Sequence, residues 1–567
     1  MNSAGHPATG VDAAETEWQF DALDLRPVLR WLDDHDGRSG AEEFRVAPAG
    51  SANQVDLYLD TEDQRFYRAG YSLRIRRVNR RRHGEATLKA LGSGSSEVPG
   101  LRDRREVAQH LDEVDVDALQ QSDGPVGERV RAVAGRKQLL RLFEVRTNRH
   151  TFSVSAGGVA PGEVALDETR IQPGDGSAPA RLRRVEVEVP SSAINAFVPF
   201  VEGLRLACAL QPAELSKYEA GLLAVDLREP QPERFGQTPI DPDGAIGDVA
   251  LNVLRKHFET FLAREPGTRL GDDLEELHDM RVASRRLRAA VSLFGDVLAP
   301  AVLNLREELR WIGGVLGAVR DLDVQLEELE RWQAEVPEPD RKPLLALRSL
   351  LAEQRAVARG DLLTALDSRR YQSFVNRFGR ALRARPRRGA GPWSVDAREA
   401  APDLIQGRFA SFRKAARRIG AASPPDDYHR LRIRGKRLRY TLEFLGDLYP
   451  EDTKPIVKRL TALQDILGEH HDAVVAIERL RDLAAVGDDR LTPPTAFAMG
   501  EIAERYRRRA AELEPEARAA YKRIAGRRWK TLQRRFEEHR AQAPSPIASS
   551  DGNSASAPLS PKASSAI

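Results

Sequence analysis

The chain has 567 residues, 41% of them hydrophobic; this is too long for a single core and predicts two or three globular domains. Its 88 Lys and Arg residues nearly balance its 85 Asp and Glu residues, so the composition does not indicate a general nucleic-acid-binding protein, and any basic surface is local. The single cysteine, Cys208, excludes an intramolecular disulfide, and no apolar run approaches the roughly 18 residues of a membrane span.

The first segment, residues 1–14, is small and polar and has no apolar stretch typical of a signal peptide. We expect this segment to be flexible. Without a signal peptide or a membrane span, the expected location of the protein is the cytoplasm, with no membrane partner.

A first domain at 15–228 is predicted from alternating apolar and polar residues, which are typical of β-strands. The clearest alternations are Val55–Asp60, Tyr71–Arg76 and Val185–Val189. Helical segments are predicted near 22–35 and 193–226. A Pro-rich linker at 229–243 follows, which indicates semi-independent domains on its two sides.

The polar faces of these strands are segregated by the sign of their charge. Residues two positions apart share a face of a strand. Such pairs are Glu15 and Glu17, Arg74 and Arg76, Thr87 and Lys89, and Glu186 and Glu188. If the sheet closes with these faces inward, the lumen contains carboxylates that bind a hard divalent metal and cations that bind phosphate oxygens. An open sheet with solvated charges is the alternative.

Helical periodicity dominates from 244 to 541, and the tail at 542–567 is predicted to be disordered because it is rich in Ser, Ala and Pro. Within the helical region one motif occurs twice, 151 residues apart. His278, Arg281, Arg285 and Arg288 recur as His429, Arg432, Lys436 and Arg439. This register predicts a duplicated unit with halves of about 244–384 and 393–541.

Each motif forms a basic stripe, because offsets of 0, 3, 7 and 10 share one face of a helix. A solvated basic face is the alternative, although random surface charge has no reason to keep its register. A second motif repeats at the same offset, with Gly317 and Asp321 matched by Gly468 and Asp472. The glycines are expected to allow close helix packing and the aspartates to orient arginines. A repeated basic stripe predicts a polyanionic ligand.

Further short motifs of charged and polar residues follow one another along the first domain. They include Tyr58-Leu-Asp60-Thr61, Arg68-Ala-Gly70-Tyr-Ser-Leu-Arg74-Ile-Arg76-Arg77, Thr87-Leu-Lys89, Arg105-Glu106, Asp167-Glu168 and Ser216-Lys217-Tyr218. With the two Glu-x-Glu strands, this domain resembles the CYTH family, the triphosphate tunnel metalloenzymes. The helical region, with its paired His-x-x-Arg and Leu-Gly-x-x-x-Asp motifs, resembles the CHAD family, which is associated with inorganic polyphosphate.

The resemblance implies an α+β protein, with an N-terminal eight-stranded antiparallel β tunnel and a C-terminal all-α domain of duplicated helical bundles. It implies that Mg²⁺ or Mn²⁺ binds to Glu15, Glu17, Asp167, Glu186 and Glu188. It also implies phosphate binding by Arg74, Arg76, Lys89, Arg105, Arg146 and Lys217. Glu15, Glu17, Lys89, Glu186 and Glu188 are the implied catalytic residues, since metal and cations would neutralise the transferring phosphoryl group.

One departure from the family pattern concerns Gln19, which stands where the first-strand Glu-x-Glu-x-Lys motif has lysine. The absence of this lysine removes a charged phosphate contact worth about 1–3 kcal/mol in a desolvated site. Binding can survive this loss while the other cations remain, whereas turnover is expected to be slow or absent.

Three functions therefore remain open from the sequence. The first is binding of inorganic polyphosphate or tripolyphosphate, with association with polyphosphate granules as a consequence. The second is metal-dependent hydrolysis of tripolyphosphate, in which the helical domain recruits the substrate. The third is nucleic-acid binding, which is disfavoured because the basic stripes lack interleaved aromatic residues.

Overall fold

The computed structural model describes residues 11–542 except 35–43, 93–97, 157–159, 173–178, 228–229, 232, 337, 385–388, 421, 487, 489 and 525. The chain divides into two compact units. The first comprises residues up to 239, 250–387 and 478–504, and the second comprises 240–249, 388–477 and the residues from 505 onward. Residues 11–14 begin the first strand, while the rest of the predicted flexible N-terminus and nearly all of the predicted disordered tail lie outside the described residues.

The first domain is a closed antiparallel β-barrel, which confirms the predicted eight-stranded tunnel. Its strands are β1 (Val11–Asp21), β2 (Phe44–Thr61), β3 (Tyr71–Val78), β4 (Gly84–Ala90), β5 (Leu101–Leu111), β6 (Leu139–Ala156), β7 (Gly162–Gln172) and β8 (Ala180–Glu188). They are ordered β5-β4-β3-β2-β6-β7-β8-β1, and pairing of β5 with β1 closes the sheet. A two-residue strand, β9 (Gln211–Pro212), pairs with β1.

The apolar faces of the strands lie on the outside of the barrel, where helices cover them. In the described part of this domain the α-helices are α1 (Arg26–Asp34), α2 (Arg65–Arg68), α3 (Val116–Gln121), α4 (Pro125–Ala134), α5 (Ile194–Ala207) and α6 (Lys217–Ala224). Trp18 and Phe20 of β1 are fully buried in one cluster with Phe197 of α5. Because neighbouring residues of a strand point to opposite faces, this arrangement directs Glu17 and Gln19 into the lumen.

A second apolar cluster lies under α3 and α4, neither of which was among the helical segments predicted from the sequence. Val126, Val130 and Val133 of α4 pack with Leu88 and Val107 of the barrel. Their spacing of four and three residues is a helical signal, and Pro125 occupies the first turn, where its missing amide costs nothing. The predicted segments near 22–35 and 193–226 correspond to α1 and to α5 with α6.

The remainder of the chain is helical, as predicted. Its helices are α7 (Ile246–Ala263), α8 (Glu265–Leu270), α9 (Leu274–Leu293), α10 (Pro300–Leu303), α11 (Arg306–Glu335), α12 (Glu338–Leu366), α13 (Arg369–Arg383), α14 (Ala397–Ala416), α15 (Pro425–Phe444), α16 (Pro450–Val486), α17 (Pro493–Ile524) and α18 (Arg527–Gln542). None of them, over the ranges described, has the length and apolar character that crossing a membrane requires.

The duplication is visible in the helix bounds. α9 and α15 begin and end 151 residues apart, and α7 and α14 begin 151 residues apart. In the second unit the segments before α7 and α14 pair reciprocally. The Ile246 amide donates to the Val395 carbonyl at 2.9 Å, and the Ala397 amide donates to the Gly244 carbonyl at 3.0 Å. Ile246 and Ala397 are equivalent positions of the two repeats, and so are Gly244 and Val395.

Within the first unit, the barrel and the first helical repeat share a core. Leu270 of α8 is 5% exposed and belongs to the cluster built around α4. Ion pairs surround this contact: Asp272 lies 3.1 Å from Arg105 and 3.3 Å from Arg129. Arg68 also donates to the Leu262 carbonyl at 2.9 Å. Within this unit, the barrel and the first helical repeat are therefore joined by an apolar contact at Leu270 and by the ion pairs of Asp272.

Replacing Leu270 with alanine is expected to destabilise the protein by about 3 kcal/mol, since a buried leucine is exchanged for a cavity. Denaturant unfolding of the full chain measures this as a lower midpoint for Leu270→Ala. Leu206→Ala is the control, because Leu206 is 68% exposed and should leave the midpoint nearly unchanged. Equal midpoints for the Leu270 variant and the parent protein would contradict a shared core.

Candidate functional site

The lumen of the barrel contains a charged cavity of about 70 Å³. Cations and carboxylates line it together, as the segregated strands predicted. The cations are Arg74, Arg76, Lys89, Arg104, Arg149 and Lys217, and the carboxylates are Glu15, Glu17, Glu163, Glu186 and Glu188. At about 10–15 Å³ per water, this volume admits about five waters, so the opposing charges lie close together.

A row of carboxylates crosses three neighbouring strands. Glu17 of β1 is paired in register with Glu188 of β8, which is paired in register with Glu163 of β7. Glu17 is buried, whereas Glu188 and Glu163 lie at the exposed end of the row. Burial and repulsion from Glu17 and Glu163 raise the pKa of Glu188. This end of the lumen therefore carries an excess of negative charge.

Three donors surround one oxygen of Glu17. Its Oε1 accepts from Lys89 Nζ at 2.8 Å, from Arg104 Nη2 at 2.8 Å and from Gln19 Nε2 at 2.9 Å. Burial would raise the pKa of Glu17, but the charges of Lys89 and Arg104 outweigh it and hold the pKa below its ordinary value. The carboxylate is thus ionised when the site is free.

Glu15 lies on the same face of β1 and also contacts Lys89. Here the balance is reversed, since burial and the negative charge of Glu17 raise the pKa of Glu15 to about 7. A carboxyl that ionises only near neutral pH marks a place where additional positive charge would be stabilised.

On the neighbouring strand β8, Glu186 is paired in register with Gln19, accepts from Lys217 Nζ at 2.9 Å and contacts Arg149. Although burial acts in the other direction, these two cations hold the pKa of Glu186 well below its ordinary value. Asp167 was predicted as a metal ligand, but it is fully buried with Arg149 at 2.6 Å and Lys217 at 2.5 Å, and it does not line the cavity. Its role in this structure is to position these two cations.

Arg74 and Arg76 project into the lumen from β3, as predicted, and a residue that the sequence did not reveal lies behind them. Asp56 of β2 is 1% exposed and accepts from Arg76 Nε at 2.7 Å and Nη2 at 2.8 Å. Arg74 lies 3.9 Å from Asp56 and 3.7 Å from Glu106. Despite burial, Arg76 and Arg74 lower the pKa of Asp56, so it remains charged and fixes both guanidinium groups.

Two predicted phosphate-binding residues lie outside the lumen. Arg105 pairs with Asp12 at 2.7 Å on the outer face of β5, and the Arg146 side chain is 70% exposed beside Glu144. Arg104 and Arg149 take the inward positions. Both corrections follow from the alternation of strand residues, because the inward and outward positions are separated by an odd number of residues in each case.

Among the residues that the structure describes, no group of three or more carboxylate, histidine or cysteine side chains stands close enough together to hold a metal ion. The predicted ligands Glu15, Glu17, Glu186 and Glu188 do line one cavity, but Lys89 and Lys217 lie between or beside them. Hard carboxylate oxygens suit Mg²⁺ or Mn²⁺, and the raised pKa values of Glu15 and Glu188 show that the site favours added positive charge.

The first basic stripe lies on α9 and faces glycines of α11. Arg281 Nη2 lies 3.1 Å from Asp321, which agrees with the predicted orienting role of that aspartate. A methyl group added at Gly317 would lie 3.5 Å from Arg281, so this glycine does lie against the stripe. At Gly468 an added methyl group would meet no atom within 4 Å, and the prediction of close packing there was wrong.

The second stripe lies on α15, where the structure adds a residue that was not predicted. His429 Nδ1 is 3.1 Å from Nδ1 of His471 on α16. Burial lowers the pKa of His471 to about 4, together with the charges of Arg432 and Lys436. The signal was present in the sequence, since His471 lies next to Asp472 in the second repeated motif.

Comparison with known proteins identifies both parts of the chain. A model of the CYTH domain matches residues 31–221, and a model of the CHAD domain matches residues 252–481. The chain is a CYTH–CHAD protein. The CYTH match begins after β1, although β1 supplies Glu15 and Glu17 and closes the barrel. None of the curated proteins matches the chain.

Several solved structures are similar to parts of the chain. The CHAD domain from the plant Ricinus communis is 31% identical over 52% of this chain and 98% of that chain, with a TM-score of 0.45. PptA from Streptomyces chartreusis is 22% identical over 49% and 100% of the two chains, with a TM-score of 0.41. HpAC1 from Hippeastrum, described as having a dominant triphosphatase activity, is 17% identical over 36% and 94%, with a TM-score of 0.27.

The raised pKa of Glu15 predicts a pH-dependent effect of Glu15→Gln on stability. A carboxyl whose pKa is about 7 when folded and 4.5 when unfolded stabilises the fold in its protonated form, and this contribution is lost as the pH rises from 4.5 through 7. Glu15→Gln should therefore raise the free energy of unfolding at pH 8 by about 1–3 kcal/mol, seen as a higher denaturant midpoint, and leave it nearly unchanged at pH 4.5. Denaturant unfolding at both pH values measures this, with exposed Glu168→Gln as control. A variant less stable than the parent protein at pH 8 would show that the Lys89 contact outweighs the repulsion.

Proposed function

We propose that this CYTH–CHAD protein binds condensed inorganic phosphate, with a triphosphate unit in the CYTH tunnel and a polyphosphate chain on the basic helices of the CHAD domain. The observation that carries this proposal is the lumen itself, in which six cations and five carboxylates line one cavity. Phosphate oxygens require the cations, and a divalent metal that accompanies condensed phosphate requires the carboxylates. A metal-bound condensed phosphate contacts both the cations and the carboxylates of the cavity.

The internal ion pairs indicate how such a ligand would enter. Lys89 pairs with Glu17 and Lys217 pairs with Glu186, so each lysine has a carboxylate as its present counter-ion. A phosphate group can replace the carboxylate beside a lysine, and a metal ion can replace the lysine beside a carboxylate. When the two arrive together, no buried charge is left unpaired, which would otherwise cost several kcal/mol.

The metal would be held by Glu15, Glu17, Glu186 and Glu188. When bound, it would supply charge neutralisation for the phosphate oxygens and lower the pKa of a bound water. Of these four residues, Glu15 and Glu188 are the ones with raised pKa values, so they gain most from an added cation. Arg74 and Arg76, fixed by Asp56, would orient the phosphate chain along β3.

Metal-dependent hydrolysis of tripolyphosphate is the second candidate function, and Arg104 supports it. Gln19 replaces a lysine of the family motif, but buried Arg104 and Lys89 both contact the same oxygen of Glu17. Positive charge therefore remains beside Glu17, close to the position of the missing lysine. Gln19 donates to Glu17, and among the described residues its own Oε1 has no hydrogen-bond partner. Because this oxygen and a phosphate oxygen are both acceptors, Oε1 cannot replace the phosphate contact of a lysine. For this reason binding is proposed first and turnover second.

In the CHAD domain, the stripes on α9 and α15 offer cations at helical spacing on two equivalent helices. A flexible polyanion with one charge per phosphate can follow such a stripe, and cytoplasmic polyphosphate granules are the proposed place of action. Nucleic acid is a weaker candidate because the stripes lack stacking aromatic residues.

Phosphate release from tripolyphosphate with Mg²⁺ or Mn²⁺ tests turnover in the tunnel. If the tunnel is active, release should depend on the metal and fall by roughly two orders of magnitude in Glu186→Gln/Glu188→Gln, because two carboxylates of the proposed metal site are lost. The exposed Glu168→Gln on β7 is the matched control and should keep full activity.

Calorimetric titration of the same proteins with tripolyphosphate separates binding from turnover. Arg74→Ala/Arg76→Ala should weaken binding by at least about tenfold, since two charged phosphate contacts are lost. If tripolyphosphate binds and no phosphate is released, the tunnel binds its ligand without hydrolysing it. Unchanged affinity in the arginine variant would contradict the tunnel as the binding site.

Binding of long-chain polyphosphate should weaken steeply with salt, because each phosphate contact releases counter-ions. In a titration over increasing NaCl, Arg285→Ala and Lys436→Ala should each lower the slope of log affinity against log salt by about 0.7–1. Lys342→Ala, at an exposed lysine of α12, is the control for a general loss of charge. Displacement of polyphosphate by excess tRNA would favour the nucleic-acid interpretation instead.

A further inference from the structure

The contact between His429 and His471 sets the second CHAD repeat apart from the first. Their Nδ1 atoms lie 3.1 Å apart, and their ring centroids are separated by 4.3 Å. A hydrogen bond between two ring nitrogens requires that one of them donates and the other accepts. At least one of the two rings is therefore neutral while the contact exists, and protonation of both rings breaks it.

The charged groups around this pair are mostly positive. Arg432 and Lys436 act on both rings from α15, and His470 acts on His471 from α16. Asp426, near the start of α15, is the acidic group that acts on His429. Glu514 of α17 acts on His470 and not on the pair itself. Burial and these cations lower the pKa of both rings, so the pair is neutral at neutral pH.

The first repeat has a different residue at the corresponding place. The position 151 residues before His471 is Arg320 of α11, which is always charged. Arg320 lies 3.2 Å from Glu327 and lowers the pKa of His278, the equivalent of His429. The two repeats thus keep the same helices and the same stripe, but one has a permanent cation where the other has a titratable ring.

We propose that His429 and His471 form a proton-linked phosphate-binding pair, through which the second repeat takes up protons when it binds condensed phosphate, whereas the first repeat, in which Arg320 replaces one of the two rings, takes up fewer. This inference rests on the polyphosphate binding proposed above and specifies its regulation. A phosphate oxygen placed beside the pair offsets the repulsion from Arg432 and Lys436, and each imidazolium donates to it. The protons come from solvent, each forms an N–H bond on an imidazole ring, and no bond of the phosphate chain is broken.

Two consequences follow for the intact protein. Affinity for polyphosphate should increase as the pH falls from 8 to 6, by up to about tenfold per pH unit for each proton taken up. Arg320 of the first repeat stays charged throughout this pH range, so the first repeat loses less affinity than the second, and binding weakens at alkaline pH without being abolished.

The test is calorimetric titration of the full chain with long-chain polyphosphate at pH 6, 7 and 8, in two buffers of different ionisation enthalpy. The difference in apparent enthalpy between the buffers gives the number of protons taken up. His471→Arg installs the residue of the first repeat, and His471→Gln removes the titratable ring without adding charge. Both variants should show less proton uptake and a shallower pH dependence, with His471→Arg binding more tightly than the parent protein at pH 8.

Arg320→His is the reciprocal variant and should add proton uptake to the first repeat. Circular dichroism confirms that each variant is folded, and two different substitutions at position 471 keep the test usable if one of them is not. Polyphosphate binding with unchanged proton uptake in both His471 variants would overturn the proton-linked pair and leave the proposed function standing. Absence of polyphosphate binding by the parent protein at every pH would overturn both.

Discussion

The structure depends on one constraint: a closed barrel whose charged faces point inward must balance its charges without bulk water. Clusters of Trp, Phe, Val and Leu cover the outside of the barrel, so the strands cannot turn their polar faces outward. Inside, buried carboxylates of the cavity contact cations, as Glu17 does with Lys89 and Glu186 does with Lys217. Unpaired charges in such a space are costly, and this cost makes the lumen selective for ligands that bring both signs of charge.

The fold was largely predictable from the sequence because its signals are periodic. Alternation identified the strands, an offset of 151 residues identified the duplication, and the Glu-x-Glu pairs identified the strands that line the lumen. The helices α3 and α4 were not predicted, because the short apolar stripe of α4 gains its meaning only from the barrel surface that it covers.

The site was predictable where a single residue could point inward and uncertain where several could. In the run Arg102-Asp103-Arg104-Arg105, the choice of inward arginine depends on the phase of the strand, and the phase was assigned one residue too late. The same reasoning separates Arg149 from Arg146. Asp56 and His471 act through partners that are distant in sequence, and neither partner can be identified without the pairing of β2 with β3 or of α15 with α16.

The core shared by α4 and α8 has a consequence for the way such chains are divided. Family boundaries place the end of one domain near residue 221 and the start of the next near residue 252. The folding boundary lies elsewhere, since Leu270, which belongs to the second family by sequence, completes an apolar cluster of the first. A chain cut within the linker would leave that cluster open to water and Arg105 without Asp272. The boundaries of the family modules therefore differ from the boundaries of packing, because a residue of the second module completes an apolar cluster of the first.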